Sequence, residues 1–96
     1  MIKGFRSKLA EDIYHGADSR FARKLPEMLH AKARRLLDQV NAATVVDTLR
    51  VPPGNRLEKL RGDFAGFWSI RINSQWRVIF RWLNNDSYEV DILDYH

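Results

Sequence analysis

Between Leu29 and Val40 the apolar residues fall at helical spacing: Leu29, Ala33, Leu36, Leu37 and Val40 share one side, with Arg34, Arg35 and Asp38 turned elsewhere. That periodicity predicts a core-facing amphipathic helix of about four turns. An earlier helix is expected from Ser7, a good N-cap, to Gly16. Asp18 and Ser19 offer a further start, interrupted or restarted at Pro26. Residues 44–55, with Pro52-Pro53-Gly54, read as a loop. After Gly66 the period changes to two. Trp68, Ile70 and Ile72 alternate with Phe67, Ser69, Arg71 and Asn73, and Trp76, Val78, Phe80 and Trp82 alternate with Gln75, Arg77, Ile79 and Arg81. Asn73-Ser74 and Asn84-Asn85-Asp86 suit tight hairpins between these strands and a last one, Ser87 to Tyr95. Leu57 to Arg61 and Ile2 to Phe5 are candidates for two short strands. The expected fold is α+β: an antiparallel meander of three or four strands plus a short N-terminal strand, with two or three helices packed on one face.

Strand parity then separates two surfaces. Trp68, Ile70, Ile72, Trp76, Val78 and Phe80 form the face expected under the helices, and the three Trp are read as packing residues. Ser69, Arg71, Asn73, Arg77 and Arg81 form the other. Three Arg on neighbouring strands repel one another, so their clustering suggests an anion to be held.

Size and charge sharpen this reading. A chain of 96 residues with 45% hydrophobic content suffices for a single domain, residues 1–96, with one core. With no cysteine, no apolar leader and no long apolar run, the sequence points to the cytoplasm and away from membranes. The net charge of +4 is unevenly spread. From Arg50 to Trp82 there are seven cations (Arg50, Arg56, Lys59, Arg61, Arg71, Arg77, Arg81) against Glu58 and Asp63. Six of the seven are Arg, the side chain suited to bidentate phosphate contact. Lys32, Arg34 and Arg35 are read first as a solvated helix face and second as an RNA contact.

No P-loop, GxGxxG or nucleophile elbow occurs, and the three His (His15, His30, His96) are far apart with no Cys to help them hold zinc. What remains is Arg, Lys, carboxylates, Tyr and one His beside a basic face. That set suits a metal-free, cofactor-free ribonuclease, in which the substrate 2′-OH is the nucleophile. The protein then supplies a base, an acid and cations. His96 suits proton transfer because its unperturbed pKa is near neutrality.

The stretch PPGNRLEKLRGDFAGFWSIRINSQWRVIF (residues 52–80), followed by Asp94-Tyr95-His96, resembles the HigB-type toxins of the RelE/ParE toxin–antitoxin superfamily. The similarity covers nearly the whole chain, from the short IKGF segment onward. It implies a RelE-like fold and a ribosome-dependent mRNA endonuclease that cuts codons in the ribosomal A site. It also implies a partner antitoxin of the HigA type with a helix-turn-helix domain. By motif, Arg61 matches a catalytic Lys, Arg77 a catalytic Arg, and Asp94, Tyr95 and His96 the family's catalytic group. Arg71, Asn73, Arg56, Lys59 and Glu58 are expected to bind substrate. Glu58 stands where some members carry His, and Asn73 where some carry a second Arg, with Arg71 on the same face available in its place. The alternative reading is a ParE-like toxin that inhibits DNA gyrase by binding without cutting. On a regular strand Asp94 and His96 share the core-facing parity while Tyr95 points to the Arg face, so His96 joins the site only if the chain curls there.

Overall fold

The computed structural model describes residues 1–95; His96 lies outside the described residues. Ser7 caps α1 (Lys8–His15) as expected, its Oγ accepting from the Ala10 N–H at 3.1 Å. Gly16 closes the helix in the left-handed conformation at φ 71°, which glycine adopts without steric cost. The second start does not propagate. Ser19 does cap the Ala22 N–H, but only a 3₁₀ turn at Ala22–Lys24 follows. Its hydroxyl also donates to the buried Asp12 carboxylate at 2.6 Å, which, with Lys8, holds the Asp12 pKa below its ordinary value against the opposing effect of burial. Helix α2 (His30–Ala42) buries Ala33, Leu36, Leu37 and Val40, the stripe read from the periodicity.

The loop after α2 contains two 3₁₀ turns, Val46–Arg50 and Pro53–Asn55. Asn55 is buried there and donates to the carbonyls of Leu49 (3.1 Å) and Val51 (3.3 Å), which satisfies backbone a loop would otherwise leave bare. The sheet follows: β1 (Glu58–Lys59), β2 (Trp68–Arg71), β3 (Trp76–Leu83) and β4 (Asp86–Asp94), all antiparallel in the order β1-β2-β3-β4. The candidate strand at 57–61 thus shrinks to two residues, because Leu57 and Leu60 are drawn into separate apolar clusters. Asn84 and Asn85 turn the last hairpin at φ 52° and 66°, the doubly left-handed geometry that matches strand twist. Ile2 and Phe5 form isolated parallel bridges to Ser87 and Val90 instead of a regular strand. They cover the β4 edge of the sheet and leave the short β1 edge open.

One face of the sheet and the two helices enclose the main core, built on Ile70, Ile72, Val78, Phe80, Val90 and Ile92. Trp68, Trp76 and Trp82 pack against it half-buried, as packing residues do. The other face is less basic than the alternation implied. Ile79 and Ser69 are fully buried on it, and Ile79 joins Leu60 and Phe67 in a second small cluster with Phe64, Leu93 and Tyr95. Between Ile79 and Arg81 the register slips: Ile79 faces Asp91 but Arg81 faces Tyr88, so Glu89 and Val90 together oppose Phe80. Glu89 takes φ 49° in this bulge and receives Arg81 Nε at 2.8 Å.

Candidate active site

Arg77 sits mid-sheet on the second face, directly across from Arg71 on β2 and Leu93 on β4. Its side chain is 17% exposed and is held on three sides. Nη1 donates to Ser69 Oγ at 2.7 Å, Nη2 lies 3.4 Å from Glu58 Oε1, and the guanidinium carbon is 5.5 Å from the centre of the Tyr95 ring. Every one of these groups comes from a strand or its immediate end, so backbone ladders fix their spacing. A guanidinium presents five N–H donors in a planar array that suits an oxyanion, and Ser69 and Glu58 take up only part of that array. Arg71, its register partner on β2, is half-buried and carries a second cation on the same face. Among the described residues, no three His, Asp or Glu side chains converge as a candidate cation site.

Tyr95 arrives where parity put it, on the Arg77 face, packed against the small cluster of Leu60, Phe67 and Ile79. Asp94, opposite Trp76 in the ladder, falls on the other side of the strand from Tyr95 and accepts from Gln75 Nε2 at 3.0 Å. The Gln75 carbonyl also receives the Tyr95 N–H at 2.7 Å. Gln75 thus anchors the end of β4 to the β2–β3 turn.

Two expected substrate-binding residues, Lys59 and Asn73, are engaged elsewhere, as is Arg81 of the basic face, and Arg56 stands exposed in the preceding loop. Lys59 pairs with Trp68, so it projects to the opposite side from Glu58 and lies over the Trp68 ring, 5.4 Å from Nζ to centroid. Asn73 Oδ1 accepts the N–H groups of Gln75 (2.9 Å) and Trp76 (2.8 Å), shaping the hairpin turn. Arg56 is exposed at φ 48° after the Pro53–Asn55 turn. Arg81, counted with the Arg cluster from parity, is drawn off by Glu89 and by the Phe67 ring at 4.3 Å. Arg61 is exposed and lines, with Glu58 and Tyr95, a groove of about 640 Å³ along the β1 edge.

Sequence reasoning passed over Ser69 as a site residue. The available signal was a small hydroxyl on the Arg face between two bulky residues. We expect Ser69→Ala to cost about tenfold in whatever activity Arg77 carries, the loss of one hydrogen bond to a charged group. On an Arg77→Ala background the same change should do nothing further. Equal effects in both backgrounds would show that Ser69 acts through something other than Arg77.

Two helices on one face of a four-stranded antiparallel sheet, with the site on the other, give the RelE-like toxin fold. A chain of the YoeB–YefM complex from Staphylococcus aureus is similar at TM-score 0.60 and 19% identity, covering 100% of this chain and 98% of that one. A YafQ variant from E. coli also gives TM-score 0.60, at 14% identity, covering 96% and 91%. Within that class the chain belongs to the HigB-like toxins, the RelE-like toxins of type II toxin–antitoxin system HigB, whose family model matches residues 3–96. It is 39% identical over 84 residues to Toxin HigB-1 of Vibrio cholerae serotype O1, covering 88% of this chain and 86% of that protein. A shorter match, 42% over 41 residues, is to the Endoribonuclease HigB of Proteus vulgaris, covering 43% of this chain and 45% of the relative. Among the described residues, no helix is long and apolar enough to cross a membrane.

Proposed function

We propose that this toxin is an endoribonuclease that cuts mRNA on the ribosome and is restrained by a helix-turn-helix antitoxin of the HigA type. The observation that carries this reading is the Arg77 guanidinium, fixed by Ser69 and Glu58 under the Tyr95 ring. In the proposed reaction the 2′-OH attacks the adjacent phosphorus, the bond to the 5′-oxygen breaks, and a 2′,3′-cyclic phosphate and a 5′-OH result. Arg77 and Arg61 bind the phosphate oxygens, whose charge grows in the transition state. Tyr95 and His96 supply and remove the protons, and Asp94, on the other side of β4 from Tyr95, holds the strand end through Gln75. No metal ion is required, because the nucleophile comes from the substrate. Few acid–base groups are present, so accurate placement of the RNA falls to the ribosomal A site, and free RNA is a poor substrate. The proposed setting is the cytoplasm, where translated mRNA is found.

A single 2′-deoxy nucleotide at the cut site of a ribosome-bound mRNA tests the chemistry. Cleavage at that position should vanish; cleavage that continued would require water as nucleophile and overturn the proposal. The ribosome requirement is tested by offering naked RNA at stoichiometric enzyme, where efficient cutting would contradict it.

Glu58 has a distinct expected signature. Its carboxylate occupies the Arg77 fork that a phosphate would use. Glu58→Gln should therefore tighten binding of a non-cleavable RNA about two- to fivefold, the scale of one exposed ion pair. A large fall in kcat for that variant would instead make Glu58 the general base.

A further inference from the structure

Tyr95 belongs to two places at once. One side of its surroundings is Arg77; the other is the groove of about 640 Å³ along the open β1 edge, which Tyr95 lines together with Arg50, Lys59, Arg61, Glu58 and Trp68. Three of those side chains are cations and Glu58 is the one anion among the described lining residues, with Arg50 also paired to Asp47 at 3.0 Å just outside it. The groove also holds two aromatic rings, at Tyr95 and Trp68. A cationic groove lined by half-exposed aromatic rings is the arrangement that takes single-stranded nucleic acid, with bases stacking and phosphates paired to cations. The volume lies within the range of small-ligand sites.

The Trp68 ring adds a second observation. It is half-buried, its inner part packed on the main core, and Lys59 Nζ stands over it at 5.4 Å. Nothing in the core requires a Lys at 59. The exposed Lys59 can swing aside to a phosphate while a base takes its place on the ring, since a cation–π contact at such a site is worth only about 0.5–1 kcal/mol.

We propose that this groove is a nucleotide subsite. It binds the single-stranded RNA flanking the cut bond, with one base stacked on Trp68 and its phosphate held by Lys59 and Arg50. The strand runs from Arg77 past Tyr95 and over the β1 edge. This rests on the ribonuclease reading above and adds to it a binding site on the far side of the edge strand. A sheet edge of only two residues lets the RNA cross from one face to the other.

The test uses the full chain and a short single-stranded 2′-O-methyl oligoribonucleotide, which binds but cannot be cut. Tryptophan fluorescence should be quenched on titration, and the quenching should be lost in Trp68→Phe, which keeps the packing and the stacking platform. Lys59→Ala should weaken binding about threefold or more and reduce the slope of log K against log salt by about 0.7, one phosphate contact. Three results would overturn the subsite: no quenching in the wild type, quenching that persists in Trp68→Phe, or an unchanged salt slope in Lys59→Ala. Quenching by an oligoglutamate peptide but not by the RNA would mark a protein-binding groove and would overturn it as well. Cleavage of ribosome-bound mRNA is scored on the same preparations. Wild-type cleavage without Trp68 quenching removes the subsite and leaves the ribonuclease standing, whereas absence of cleavage removes the ribonuclease reading itself.

Discussion

Arg77→Ala should abolish growth inhibition while leaving a folded protein that still binds its antitoxin. The guanidinium is held by a buried hydroxyl and a strand-borne carboxylate, so its position is preset before RNA arrives. Removing such a preorganised donor costs on the order of 10²–10³ in rate. The structural cost is small by comparison. Ser69 Oγ loses one partner, worth about 1 kcal/mol, which for a domain of this size lowers the melting temperature by about 4–8 °C. Arg77→Lys should rescue little, because an ammonium cannot reproduce the planar two-pronged contact. Undiminished toxicity of Arg77→Ala at equal expression would remove Arg77 from the mechanism.

His96→Gln should slow cleavage by on the order of 10²–10⁴, the range for loss of a proton-transfer group, with an unchanged melting temperature. Among the described residues, the last ones packed into the apolar clusters are Leu93 and Tyr95. The pH profile separates a proton-transfer role from a binding one. If His96 transfers a proton, the limb of the wild-type profile set by its imidazole should disappear in the Gln variant. A variant with wild-type rate and an unchanged profile would leave Tyr95 and the Arg cluster as the whole apparatus.

Both α-helices, the three longer strands and the position of Tyr95 were legible in the sequence, because each follows from one local rule. Ser7 and Gly16 bound α1 through capping, and Asn84-Asn85 turn a hairpin that needs two left-handed residues. Strand parity alone put Tyr95 on the Arg77 face. What escaped was whatever a second element decides. Arg81 has the parity of Arg77, yet the bulge that turns Glu89 toward it is visible only once β3 and β4 are paired. Lys59 and Glu58 are neighbours in a basic stretch, but β1 is a strand, so they diverge to opposite sides. Asn73 matched a substrate-binding position by motif, and the hairpin claims its carbonyl oxygen. The Arg face conceals an apolar cluster because Leu60 and Phe67, outside the longer strands, fold over Ile79.

The central claim is that Arg77 works on RNA during translation. The most direct measurement is brief induction of the wild type and of Arg77→Ala in growing cells, followed by mapping of transcript 5′ ends. The ribonuclease account predicts new ends inside translated codons, in the wild type only, on messages that are being read. Intact transcripts in growth-arrested cells, accompanied by DNA damage, would contradict it and favour a gyrase-binding toxin.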